Sequence, residues 1–204
     1  MQGRWLEVPE AELLWWPAWL GEDEASRLAR GLRAAVEWRQ DRMTLFGKSH
    51  PLPRLQAWYG DASLDYTYSG ITLAATPWLP DLAMLRSRLQ EDLDTCLPGT
   101  IFNSVLCNLY RDGRDSNGWH ADDEPELGVD PTIASISLGA SRRFRMRQRQ
   151  GGAAPFALDL PPGSLLVMAG KTQSAWQHTL AKTARPVGER INLTFRRIVS
   201  PISD

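Results

Sequence analysis

The sequence is short of cysteine, of net charge and of long apolar runs, and each shortage excludes a class of protein. Its two cysteines, Cys96 and Cys107, have no C-x-x-C spacing, so neither a disulfide framework nor a thiolate metal site is expected, and both read as buried free thiols. The longest apolar stretch, Leu13 to Leu20, is broken by Pro17 and falls well short of the roughly 20 residues a membrane helix needs, so no membrane partner is expected. Glu7, Glu10 and Glu12 follow Arg4 before any apolar run, the wrong charge order for a secretory signal, and a cytoplasmic location is expected. The 23 basic and 24 acidic residues cancel to a net charge of −1, which argues against capture of nucleic acid by bulk electrostatics.

What remains is a chain of 204 residues with 43% hydrophobic content, enough to bury a core of its own in one domain. The charges are unevenly placed. Residues 1–102 carry 10 basic and 14 acidic side chains, and residues 103–204 carry 13 basic and 10 acidic. Arg142, Arg143, Arg145, Arg147 and Arg149 cluster downstream of an acidic group, Asp122, Asp123, Glu124, Glu126 and Asp130.

Helical spacing of Leu28, Leu32, Ala35 and Val36, with Glu22, Asp23 and Glu24 in the first turn, predicts a helix over Glu22 to Trp38. A second begins at Pro80 and places Leu82, Leu85, Leu89 and Leu93 on one side, ending before Pro98-Gly99. After Thr100 the texture changes to short alternating runs: 101–110, 132–138, 143–148, 164–168 and 190–198, separated by turn signals such as Asp112-Gly113 and Pro161-Pro162-Gly163. Strands following helices indicate an α+β fold, with closely spaced strands forming a sandwich or jelly roll. In the last run, alternation puts Arg190, Asn192, Thr194 and Arg196 on one face and Ile191, Leu193, Phe195 and Arg197 on the other. The polar face is either solvated or the inner wall of a cavity, and the strand taken alone favours solvent.

His120 and Asp122 are two residues apart, so in an extended segment both point the same way; His178 follows 58 residues later. Two imidazoles and one carboxylate on one face of an octahedron leave open positions, the arrangement of non-haem Fe(II) oxygenases. H-x-D alone is a weak pattern that ordinary core or surface histidines also produce. Arg190 and Arg196, 12 and 18 residues beyond His178, supply forked cations of the kind a dicarboxylic keto acid needs.

Taken in order, Asn108-Leu109-Tyr110, Gly118-Trp119-His120-Ala121-Asp122-Asp123-Glu124, His178 and Arg190-Ile191-Asn192-Leu193-Thr194-Phe195-Arg196 resemble the AlkB family of Fe(II)/2-oxoglutarate dioxygenases, over roughly residues 46–198. The resemblance implies an α+β fold with a double-stranded β-helix (jelly roll) core, the polar face of the last strand turned inward. It implies one domain over 1–204: N-terminal helices and a nucleotide-recognition lid to about residue 100, then the core over about 101–198. His120, Asp122 and His178 would hold Fe(II). Arg196 would take the distal carboxylate of 2-oxoglutarate and Arg190 the carboxylate at the keto end, with Asn108, Tyr110 and Thr194 completing the pocket. O2 would be the co-reactant.

The segments around Phe46, Arg54, Trp58 and Tyr66-Thr67-Tyr68-Ser69 are similar to the family's nucleotide-recognition lid. Phe46 would wedge into a base stack, or else anchor a hairpin. Tyr66, Tyr68 and Ser69 would contact a flipped base, and Asp123 and Glu124 would favour its cationic, N-alkylated form. Phe46-Gly47 resembles the duplex-repairing homologue, and Ala57-Trp58-Tyr59-Gly60 also resembles single-strand-preferring relatives. The implied activity is oxidative demethylation of 1-methyladenine and 3-methylcytosine in DNA or RNA, releasing formaldehyde, succinate and CO2, by a monomer. The alternatives are the same chemistry on a protein, tRNA or lipid, and a non-catalytic nucleic-acid-binding module. The Arg142 to Arg149 run is either a phosphate-binding face or a solvated edge strand, and Trp15, Trp16 and Trp19 are packing anchors.

Overall fold

The computed structural model describes residues 3–45, 47–62, 64–68 and 71–199. Strands β1 (Arg4–Val8) and β2 (Ala11–Trp16) precede helix α1 (Glu22–Ala35). A hairpin of β3 (Arg42–Leu45) and β4 (Lys48–Pro51) follows, then β5 (Leu55–Gly60), a hairpin of β6 (Asp65–Tyr68) and β7 (Ile71–Ala74), and helix α2 (Pro80–Leu93). The remainder is almost all strand: β8 (Ser104–Tyr110), β9 (Asn117–His120), β10 (Ile133–Gly139), β11 (Arg142–Gln148), β12 (Phe156–Leu160), β13 (Leu165–Ala169), the one-turn helix α3 (Thr172–Ala175), β14 (Trp176–Leu180) and β15 (Arg190–Arg196).

The two expected helices form for the reasons their sequences carry. Acidic residues fill the first turn of α1, which buries Ala25, Leu28 and Leu32, and α2 opens with Pro80 and buries all four of its spaced leucines. Helix α1 stops at Ala35 rather than reaching Trp38: Val36 is extended, and the Trp38 indole N–H turns back to donate to the Arg33 carbonyl at 3.1 Å, covering a carbonyl of the last turn. The N-terminal half is less helical than expected, because β1, β2 and β5 join the main sheet. In β2, Leu14 packs into the core beneath the helices while Leu13 and Trp15 pack into the core on the other face. A strand buried on both faces shows consecutive apolar residues instead of alternation. Cys107 is buried as expected, but Cys96 is exposed just beyond α2.

Two antiparallel sheets face each other. The larger has seven strands in the order β1-β2-β13-β10-β15-β8-β5, and the smaller has four in the order β12-β11-β14-β9. One core lies between the helices and the larger sheet, formed by Leu28, Leu32, Leu85, Leu89, Leu193 and Phe195 among others. A second lies between the sheets and includes Trp15, Leu106, Phe144, Met146, Met168 and Trp176. This is the jelly-roll layering of a double-stranded β-helix. Gly139 turns the chain from one sheet to the other: its φ is +79°, and a Cβ there would sit 2.4 Å from the Glu189 carbonyl oxygen, so only glycine fits. Among the described residues, no helix is long and apolar enough to cross a membrane.

Candidate metal and cosubstrate site

Register brings the expected iron ligands together. β9 and β14 pair so that His120 stands opposite His178, and the two rings lie 4.2 Å apart, edge to face. Asp122, just past β9, places its Oδ2 3.9 Å from His178 Nε2. One ligand atom from each of the three residues falls within 4.8 Å of the others, a spacing that a single ion can bridge.

The surroundings prepare all three as ligands. Burial pushes the His120 imidazole below its ordinary range, and His178 is pushed down to about 3 by burial and by the neighbouring His120, so both rings are neutral at physiological pH. His120 Nδ1 lies 2.8 Å from the Gly118 carbonyl, so Nδ1 carries the proton and Nε2 keeps its lone pair. Burial pushes the Asp122 carboxyl up, but it is held below the usual carboxylate range, chiefly by the Arg196 guanidinium against it. The Asp122 backbone N–H donates to buried Gln173 Oε1 at 2.9 Å, which fixes the segment carrying the carboxylate.

The polar face of β15 points into the cleft between the sheets. Arg190, Thr194 and Arg196 are buried, and the opposite face, Ile191, Leu193 and Phe195, packs beneath the helices. A strand in the middle of a sheet that is covered on both sides cannot have a solvated face, and this overturns the solvent reading taken from the strand alone. β8 pairs with β15 so that Asn108 stands opposite Asn192 and Tyr110 opposite Arg190, which puts both expected β8 residues in the same pocket. The cleft, about 510 Å³ with its open mouth included, is lined by these residues together with His120, Asp122 and His178.

The two arginines occupy different ends of it. Arg196 donates to Asp122 Oδ1 at 2.5 Å, so it sits against the candidate metal ligands. Arg190 donates to Ser137 Oγ at 2.9 Å and Asn192 Oδ1 at 2.6 Å, and its guanidinium lies 5.4 Å from the centre of the Tyr110 ring. This is the reverse of the expected order, in which Arg196 was to lie at the end remote from the metal. Among the described residues no carboxylate pairs with Arg190, its buried Nε has no hydrogen-bond partner, and burial pushes it down to about 10. A buried cation lacking a counter-charge fits a carboxylate brought in by a cosubstrate.

Ser135 and Ser137 were not picked out by sequence reasoning, and Arg54 and Arg142 were read for other roles. Ser137 and Ser135 on β10 hold Arg190 and Asn192, with Ser135 Oγ 3.0 Å from Asn192 Oδ1. Buried Arg54, expected in the lid, instead donates to Asn108 Oδ1 at 2.9 Å. Buried Arg142 donates to the carbonyls of Asp112, Asp115 and Ala181 at 3.1, 3.0 and 2.8 Å and lies 5.9 Å from the Tyr110 ring centre. The only available signal was alternation, since Ser135 and Ser137 share a face of β10 as Asn192 and Thr194 do of β15. Of the expected substrate contacts, Phe46 and Ser69 lie outside the described residues, and Tyr66 and Tyr68 are on β6. Asp123 is ion-paired with Arg149, and Glu124 is half-buried before a single turn of 3-10 helix.

The model of the 2OG-Fe(II) oxygenase superfamily matches residues 12–196. The chain belongs to that superfamily. Within it, the AlkB resemblance holds: the chain is 42% identical over 192 residues to rat alpha-ketoglutarate-dependent dioxygenase alkB homolog 3, covering 90% of this chain and 63% of that protein. It is 42% identical over 189 residues to mouse DNA oxidative demethylase ALKBH2, covering 88% of this chain and 77% of that protein. The chain thus spans a little under two thirds of the alkB homolog 3 proteins it matches. The solved structure of OsALKBH1 superposes with a TM-score of 0.63 at 17% identity, covering 95% of this chain and 100% of that one, and supports the dioxygenase fold.

Proposed function

We propose that this AlkB-family chain is an Fe(II)- and 2-oxoglutarate-dependent dealkylase of N-alkylated bases in DNA. The observation that carries this reading is the buried cleft in which His120, Asp122 and His178 converge at one end and the uncompensated cation Arg190 waits at the other. The names of the relatives supply the substrate class. His120, Asp122 and His178 would hold iron, which with O2 and 2-oxoglutarate supplies the oxidation of the alkyl carbon.

The chain's own residues do the positioning. Arg190, steadied by Ser137 and Asn192, takes the distal carboxylate of 2-oxoglutarate with the Tyr110 ring beside it. Arg196, held against Asp122, takes the carboxylate at the keto end, which must lie by the metal ligands; Asn108 is oriented by Arg54 to share that pocket. Phe144 and Met146 form the apolar wall against His178 and exclude water. Base recognition would fall to Tyr66 and Tyr68 on β6, whose hairpin with β7 belongs to neither large sheet, and to Phe46 and Ser69, which lie outside the described residues, while Asp123 and Glu124 would favour a cationic base. We read the whole as one domain acting as a monomer in the cytoplasm. Mass spectrometry of oligonucleotides bearing 1-methyladenine or 3-methylcytosine, incubated with iron and 2-oxoglutarate, should show loss of the methyl group. Succinate formation with every methylated base intact would refute a nucleic-acid substrate.

A further inference from the structure

Strand β11 carries a row of arginines for which the dealkylation chemistry has no use. Alternation sends Arg143, Arg145 and Arg147 to the outer face of the four-stranded sheet, all exposed, and Arg149 continues the row just past the strand end. On the inner face Phe144 lies 5.2 Å from the His178 ring. The row therefore runs along the back of the wall that carries the two histidines. It starts at the rim of the cleft, since Arg149 is ion-paired with Asp123, the neighbour of Asp122.

Few acidic groups neutralise it. Asp159 pairs with Arg143 at 3.3 Å, with both side chains more than 60% exposed, and such a pair contributes little. Among the described residues no carboxylate pairs with Arg145 or Arg147. Beyond the far end of the row, Lys182 and Arg185 border one surface depression together with Arg143 and Arg145. Near the head of the row, the Arg147 guanidinium lies 4.4 Å from the centre of the Trp119 ring while donating to Gln177 Oε1 at 2.9 and 3.1 Å. Trp119 directly precedes His120 and remains 37% exposed.

We propose that this outer face of β11 is a track for the phosphate backbone of single-stranded nucleic acid, with Trp119 as a stacking platform for one base at its head. Alternate strand residues repeat at about 7 Å, on the scale of successive phosphates in an extended single strand. Regularly spaced cations combined with one π face are what sequence-independent strand binding requires. Among the described residues, the outer face of this sheet presents Arg143, Arg145, Arg147, Asp159 and Gln177 around Trp119, not the apolar cluster that membrane insertion needs. The proposal rests on the nucleic-acid reading above and extends it to the strand flanking the modified base.

The test is fluorescence anisotropy of an unmodified, labelled oligothymidylate titrated across a range of salt, for the wild-type chain and for Arg143→Gln/Arg145→Gln. Both side chains are solvent-exposed, so unchanged thermal melting will verify the variant's fold. Losing two phosphate contacts at about 0.7 each lowers the slope of log affinity against log salt by about 1.4. The ratio of kcat/KM for a long methylated strand to that for a methylated trinucleotide should fall at least about fivefold. Equal affinity and equal slope in the two proteins would overturn the track even if dealkylation is observed. So would a polyglutamate peptide that competes as well as oligothymidylate at equal charge. The expected slopes without any dealkylation would keep the track and sink the catalytic reading instead.

Discussion

Strands β15 and β11 look alike on paper: each alternates arginine-bearing polar positions with apolar ones. In β15 the arginines are buried, and in β11 the row Arg143, Arg145 and Arg147 is exposed. The difference comes from the layers. β15 runs through the middle of a sheet with helices on one side and a second sheet on the other, so its polar face has nowhere to go but inward. β11 belongs to the smaller sheet, whose inner face closes the cleft and whose outer face carries these solvent-exposed arginines. An arginine face is thus made into the wall of a buried cleft or a solvated surface by what packs above it. The buried cations shape the chemistry, while the exposed ones can act on long-range partners.

The comparison breaks most completely at Asp122, which anchors the buried row. Asp122→Ala removes a proposed metal ligand and should lower 2-oxoglutarate turnover roughly a thousandfold or more. It also takes a carboxylate away from Arg196, at a cost of about 3 to 5 kcal/mol for breaking a buried pair. Succinate assays and denaturant melts read the two effects separately. Full turnover in this variant would show that the three residues do not hold the iron.

Arg190 sharpens the contrast by a change of sign. Without cosubstrate it is a buried cation lacking a counter-charge, so Arg190→Met should stabilise the chain alone by about 1 kcal/mol. The same change should raise the KM for 2-oxoglutarate roughly a hundredfold, the worth of about 2 to 3 kcal/mol of charge-assisted hydrogen bonding. Arg190→Lys should recover only part of the affinity, because an ammonium lacks the fork. A variant that is destabilised and keeps the wild-type KM would remove Arg190 from the cosubstrate pocket.

The two histidines give a pH-dependent effect that is small within any one pH unit. His178 is held near 3 in the folded chain, whereas an unfolded imidazole titrates near 6.5. Stability is therefore complete above about pH 6.5 and is lost as pH falls from there toward 3, because only the unfolded chain takes up the proton. His120 acts in the same direction. The loss is limited to about 1.4 kcal/mol per pH unit for each ring. Denaturant melts of the metal-free chain should show it, and His178→Asn should flatten the profile; an unchanged slope would mean that the ring is solvated.

How much of this was legible depends on whether a signal is local. The spaced leucines of α1 and α2 and the alternation of β8, β10, β11, β13 and β15 can be read along the chain, and all seven elements form close to where they are expected. Strands β9 and β14 carry two of the three candidate metal ligands yet are only four and five residues long, and β9 includes Gly118. Neither shows a pattern of its own. What places His120 beside His178 is pairing between segments far apart in sequence, and no window sees that. The order of Arg190 and Arg196 was likewise a matter of which end of β15 meets Asp122. Arg54, Ser137, Gln173 and Arg142 act through buried hydrogen bonds to partners more than 25 residues away, a separation at which composition and periodicity are silent.

The finest form of the comparison lies in two adjacent residues. Arg142 and Arg143 are chemically identical and consecutive, and the pleat sends them to opposite faces of β11. Arg142 is buried and donates to three carbonyls from two loops, so Arg142→Gln strands acceptors in the interior and should cost about 2 to 3 kcal/mol. Arg143 makes one exposed pair with Asp159, and Arg143→Gln should change stability by less than about 0.5 kcal/mol. Melts of the two variants side by side isolate the facing sheet and loops as the cause, since residue type and strand are held constant. Equal losses in both would mean that the outer face of β11 is covered after all.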